Sequence, residues 1–105
     1  MVYLQARCIR PRLSVYICQE PESIYHAVYM DSLTLDEFKV KLSSLFGITT
    51  NQIGDIYMQG PAQIHILLTD EVIQNTQDQA RFVVEGMKDE SGDKYKILLK
   101  TVVDR

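Results

Sequence analysis

Four side chains, Cys8, Cys18, His26 and His65, are of the types that perform nucleophilic or metal chemistry. Cys18 and His26 lie on the two arms of a predicted hairpin, where a thiol and an imidazole could approach each other. No glycine-flanked nucleophile or matching acid accompanies them. Metal sites need ligands at short spacings such as CxxC or HxxxH, which the sequence lacks. We therefore expect free thiols, no catalytic residue, no metal site and no cofactor.

The composition argues against nucleic acid or a membrane as a direct partner. The 105 residues carry a net charge of −3, and the pI is about 5.2. A mildly acidic domain without a basic stripe does not attract phosphate backbones. No apolar run approaches the roughly 18 residues that indicate a membrane span. The five glycines are isolated, so no phosphate-binding loop is predicted.

Apolar residues in alternation predict strands on both sides of one long helix. The strands are predicted at 13–20, 24–30, 56–59, 64–69, 81–87 and 94–100. Thr34 is a suitable N-cap for a helix that ends at Gly47. The apolar face of that helix contains Leu35, Phe38, Leu42 and Leu45.

One helix laid across one mixed sheet indicates an α+β fold of the ubiquitin-like β-grasp type. The domain is predicted to span residues 12–103, after an extended lead-in at 1–11. Segment 69–79 is predicted to be a short helix or a loop. At this length a single domain is expected to have an adequate core without disulfides.

The sheet face that does not meet the helix is the predicted protein interface. If the alternate apolar residues of the first strand face the helix, Tyr16 must point to the opposite face. The same alternation exposes Tyr57 and Leu98. In β-grasp order the first strand pairs with the last, and the last with the strand after the helix. Tyr16, Leu98 and Tyr57 should then adjoin, with Val28 as a neighbour, in an apolar patch typical of protein-binding surfaces.

Two alternatives to this face remain open. The chain's own segments 1–11 or 69–79 would cover the face if they folded over it. Alternatively, copies would pair along an exposed strand edge at 24–30 or 64–69, where backbone groups lack partners.

Five stretches in series carry a family resemblance that covers roughly residues 12–100. They read RLSVYICQE, YHAVYMDSLTLDEFKVKLSSLFGIT, QIGDIYMQGPAQIHILLTDEVIQN, ARFVVEGM and YKILLK. They resemble the C-terminal region of the Grainyhead/LSF transcription factors, and the LSF branch more than the Grainyhead branch. The most specific pieces are Tyr25-His26-Ala27, Ile56-Tyr57 with Gln59-Gly60-Pro61, and Ile64-His65-Ile66 followed by Thr69-Asp70-Glu71 and Ile73-Gln74-Asn75.

The resemblance implies an oligomerisation domain of a sequence-specific transcription factor. Its partner would be a second copy of itself, in a dimer or higher oligomer, or a paralogous family member. The DNA-binding domain of such factors lies upstream, so this domain would not contact DNA, and a nuclear location is implied. The sequence leaves two alternative functions: a monomeric ubiquitin-like adaptor that binds a different protein, and a small thiol enzyme that uses Cys18.

Overall fold

The computed structural model describes residues 12–20 and 22–102. The predicted lead-in at 1–11 lies outside the described residues. The elements are β1 (Leu13–Gln19), β2 (Tyr25–Met30), α1 (Leu35–Phe46), β3 (Ile53–Gln59), β4 (His65–Leu67), α2 (Asp70–Gln74), β5 (Ala80–Lys88) and β6 (Tyr95–Thr101). Two short 3-10 turns, Thr50–Gln52 and Pro61–Gln63, precede β3 and β4.

All six strands form one mixed sheet in the order β2-β1-β5-β6-β3-β4. The pairs β1–β2, β5–β6 and β3–β4 are antiparallel, whereas β1–β5 and β3–β6 are parallel. A mixed sheet with one main helix confirms the predicted α+β class. Segment 69–79, predicted to be a short helix or a loop, contains the short helix α2.

The strand order corrects one expectation from the sequence. The last strand pairs with the strand after the helix, as predicted, but it does not pair with the first strand because β5 lies between β1 and β6. The physical reason is that a strand has only two edges. Since β6 uses one edge for its hairpin with β5 and the other for β3, no edge remains for β1.

The core lies between the sheet and the two helices. Alternation places Leu13, Val15 and Ile17 of β1 on the helix side, where each is at most 4% exposed. Phe38 and Leu42 of α1 are buried against them. Leu35 and Leu45 of the predicted apolar helix face pack more loosely at its ends.

Both ends of α1 follow the predicted capping chemistry. The Thr34 hydroxyl accepts a hydrogen bond from the Glu37 amide at 3.1 Å. At the other end Gly47 has a φ of 72° and donates its amide to the Ser43 carbonyl at 2.9 Å. This left-handed conformation is why glycine is suited to that position.

Candidate protein-binding surfaces

Two of the four predicted interface residues lie directly opposite each other. Tyr57 of β3 pairs with Leu98 of β6 in the parallel ladder. Since paired residues of neighbouring strands project to the same side, both occupy the sheet face that does not meet the helices. Leu67 of β4 pairs with Tyr57 on its other side and is 51% exposed. We call Tyr57, Leu98 and Leu67 the Tyr57 patch.

Leu67 was missed at the sequence level. Alternation in 64–69 puts Leu67 on the less apolar face, with His65 and Thr69, but it does not give the register that sets Leu67 beside Tyr57. The register decides it, because Gln59 pairs with His65 and Tyr57 with Leu67. The His65 ring also lies near Tyr57, with 6.3 Å between ring centroids. The Tyr57 patch therefore extends toward the β4 edge.

Tyr16 does not adjoin Leu98, in contrast to the expectation. Tyr16 pairs with Arg81 of β5, whereas Leu98 pairs with Glu85, four residues further along the same strand. Tyr16 and Leu98 are thus offset by about 13 Å along the strand direction, and β5 lies between their strands. The cause is the position of β5 between β1 and β6. The predicted interface residues Tyr16 and Leu98 therefore lie toward opposite ends of the sheet.

Tyr16 instead belongs to a group of small and aromatic residues at the β2 end. It pairs with Ala27 of β2, and Tyr25 and Tyr29 flank Ala27 on the same face. Tyr29 is 55% exposed and Tyr25 is 38% exposed. Val28 projects to the helix side and is only 4% exposed, so it supports β2 from the core rather than from this face.

The two ends are separated by an ion-pair network. Lys100 Nζ lies 3.1 Å from Glu85 Oε1 and 3.7 Å from Glu20 Oε1. The hydrogen bond that the Lys100 ammonium donates to the Glu85 carboxylate, together with the charges of Glu20 and Glu85, raises the pKa of Lys100 above its ordinary value. Charged groups between two apolar clusters favour two distinct contact surfaces over one continuous one.

The segment after Leu68 leaves this face open. Ile73 of α2 is buried on the helix side with Phe38 and Met30, so α2 packs under the sheet. At the end of this segment the Asp78 carboxylate accepts the Ser14 amide at 2.8 Å. Of the two segments considered as covers, 69–79 lies elsewhere and 1–11 is outside the described residues.

The structure does not assemble the Cys18 and His26 pair. Cys18 pairs with Tyr25 and His26 pairs with Ile17, so the thiol and the imidazole project to opposite faces of the sheet. The Cys18 thiol is buried and donates to the Glu22 carbonyl at 2.8 Å. Within 12–20 and 22–102, no three His, Cys, Asp or Glu side chains converge as a metal site. No helix in that part of the chain is long and apolar enough to cross a membrane.

The family model "GRHL1-like, C-terminal domain" matches residues 10–101, which includes both ends of the sheet. The chain belongs to the GRHL1-like C-terminal domain family. The resemblance to the Grainyhead/LSF factors is thereby confirmed.

Curated relatives of this GRHL1-like domain are named as transcription factors. Transcription factor CP2 of Gallus gallus is 42% identical over 116 residues, which cover 92% of this chain and 23% of the relative. Alpha-globin transcription factor CP2 of Homo sapiens is 38% identical, with 92% and 24% covered. Upstream-binding protein 1 of Homo sapiens is 35% identical, with 92% and 22% covered. The domain spans about a quarter of these relatives, and no solved structure matches it.

Proposed function

We propose that this GRHL1-like domain is the self-association module of a transcription factor. The names of its relatives support the transcription factor context. The resemblance to the Grainyhead/LSF factors implies self-association, and the domain's own residues offer surfaces for it. In the same proposal the fold is a ubiquitin-like β-grasp with β5 added between the first and last strands.

One observation carries the proposal: among the residues that the structure describes, the helices pack on one face of the sheet, and the other face has apolar side chains. Tyr57, Leu98 and Leu67 adjoin at one end of that face. Tyr16, Tyr25 and Tyr29 cluster at the other end, beside the exposed strand β2. Apolar side chains that adjoin on an otherwise charged surface mark protein contacts. We propose that the β2 end pairs two copies and that the Tyr57 patch joins such pairs to one another.

Association of this kind would serve DNA recognition by a larger protein. If each copy is attached to a DNA-binding domain, pairing makes contact with the second half-site intramolecular. The gain in affinity comes from effective concentration and needs no contact between this domain and DNA. The net charge of −3 is consistent with a domain that associates with other copies while a separate domain binds DNA. Such a transcription factor would act in the nucleus.

The test is the solution molecular mass of the native chain as a function of concentration, by sedimentation or light scattering. The expected result is a mass of two or more chains that falls toward one chain on dilution. A mass of one chain at all concentrations would overturn the proposal.

A monomer would favour the second candidate, a ubiquitin-like adaptor for another protein. A groove of about 510 Å³ at the C-terminal end of α1 supports that candidate. Phe46, Ile48 and Ile97 form its apolar wall, and Glu20 and Glu85 lie beside it. Its size is within the range of ligand-binding sites, so it suits an apolar side chain that carries a neighbouring basic group. Non-catalytic binding is common to both candidates.

A further inference from the structure

The two edges of the sheet differ in how well they accept another strand. The edge strand β4 has three residues and follows a turn that contains Pro61 and two left-handed residues, Ala62 and Gln63. The edge strand β2 has six residues, Tyr25–Met30, and contains no proline and no Asp, Glu, Lys or Arg. Short strands, proline and charges are the usual protections of a sheet edge. Strand β2 has none of these.

The side chains of β2 are arranged symmetrically about Ala27. On the open face Tyr25 and Tyr29 lie two residues before and two residues after it. On the helix side His26 and Val28 flank Ala27, so the symmetry of β2 lies in its open face. When two antiparallel copies of β2 are centred on Ala27, Tyr25 of each copy faces Tyr29 of the other. Aromatic pairs across antiparallel strands stabilise their association.

The flanking charges agree with the same register. Centring on Ala27 places Glu22 opposite Ser32 of the second copy, and Asp31 opposite Ser23. No carboxylate then faces another carboxylate. A centre at His26 would put Glu22 opposite the apolar Met30. Of the registers that keep both helix sides together, the one at Ala27 therefore matches both the aromatic residues and the charges.

Centring on Val28 loses the aromatic pairs. It would put Tyr25 opposite Asp31 and Tyr29 opposite Ala27 of the second copy. The pattern of β2 is thus complementary to β2 itself. A second copy of this chain is the occupant that satisfies it.

We propose that two copies of this chain pair through antiparallel β2 strands around a two-fold axis at Ala27. Two sheets of six strands then become one continuous sheet. Tyr16, which pairs with Ala27 inside each copy, lies one strand away from the axis on the same face. An interface of this kind uses the same patch twice and closes on itself. The inference rests on the proposed self-association and assigns its geometry.

The test uses Ala27, because the two-fold axis places it opposite Ala27 of the second copy. Ala27 is exposed, so Ala27→Lys and Ala27→Glu are expected to fold, which circular dichroism and thermal melting check. Each variant alone brings two like charges to within about 5 Å across the axis. Each is expected to sediment as a monomer at concentrations where the native chain forms pairs but the pairs do not yet associate further through the Tyr57 patch. An equimolar mixture should restore the pair, because each lysine then meets a glutamate.

Matched controls use Val40, an exposed residue of α1. Val40→Lys and Val40→Glu add the same charges and should leave the mass unchanged. A second measurement is oxidative cross-linking. Ala27→Cys should form a dimer through a disulfide, because facing Cα atoms in an antiparallel pair lie within the range a disulfide spans. Ser23→Cys should not, since it would lie about 26 Å from its own copy.

The outcomes separate this inference from the proposed function. Pairs that persist in both Ala27 charge variants, or a mixture that stays monomeric, would overturn the β2 axis while self-association of the native chain still stands. Conversely, a native chain that is monomeric at every concentration would remove both. Restoration by mixing together with selective cross-linking at Ala27 supports the assignment.

Discussion

Asp70 Oδ1 accepts a hydrogen bond from the Leu35 amide at 2.7 Å, so the first residue of α2 caps the first residue of α1. The two residues are 35 positions apart in the sequence. Thr34 satisfies a second amide of the same turn, that of Glu37. The position of α1 over the sheet therefore depends on a contact from the segment that follows β4.

Asp70→Ala should lower the free energy of unfolding by about 1 kcal/mol, the usual loss for an amide at a helix start that loses its cap. The measurement is chemical denaturation. Glu71→Ala is the matched control, since it removes a carboxylate from the same turn of α2 without removing the contact to Leu35. Equal losses for both variants would show that helix charge, and not the cap, is responsible.

Gly47→Ala should lower the free energy of unfolding by roughly 1–2 kcal/mol, the cost of a left-handed conformation for a residue with a Cβ. Its φ is 72° and no atom lies within 4 Å of an added Cβ, so the cost is conformational and not steric. Gly86→Ala provides the control. Its surroundings are equally open and its φ is not positive, so it should be neutral or stabilising. Similar losses at both positions would contradict the explanation.

Glu85→Gln should return the pKa of Lys100 toward its ordinary value of 10.5. Because the folded-state pKa is raised, the ion pair stabilises the fold below the ordinary pKa, and this contribution is lost as the pH rises through the raised one. The variant should therefore reduce the difference in stability between neutral and strongly alkaline solution. The titration of Lys100 is measured by NMR. Glu90→Gln, at the hairpin tip, should leave it unchanged.

Tyr57→Glu should abolish association beyond the pair and leave the pair intact. A carboxylate there would lie between Leu98 and Leu67, where an apolar contact with another pair would have to desolvate it. The measurement is sedimentation over a range of concentrations. Met87→Glu is the control, since Met87 is also an exposed apolar residue of the sheet. Complete dissociation to monomers by Tyr57→Glu would instead identify the Tyr57 patch as the pairing surface and argue against β2.

Local features of the fold were predictable from the sequence, but the order of the strands was predictable only in part. The caps at Thr34 and Gly47 depend on single residues with specific hydrogen-bonding or backbone properties, and both are present. Alternation likewise predicted which side chains of β1, β3 and β6 face the helices. Which strands become neighbours is a property of the whole sheet, because many strands share the same alternation.

The antiparallel hairpin of β5 and β6 explains the observed strand order. Once β6 pairs with β5 and β3, the free edge of β5 is available for β1. Because β5 lies between β1 and β6, the predicted interface residues do not form one patch. Tyr57 and Leu98 are adjacent, whereas Tyr16 lies beside β2. The sequence predicted that Val28 belongs to a strand but not which face of the sheet it occupies. The pairing of β1 with β2 determines that face.

The inequality of the two sheet edges also limits how far an assembly can grow by strand addition. When β2 is paired with the β2 strand of a second copy, both free edges of the joined sheet are β4 strands. Each has three residues and follows a turn that contains proline. Such an edge offers too little backbone for a third molecule to continue the ladder. If two copies pair through β2 as proposed, strand addition would therefore stop at the pair and would not continue into a fibril.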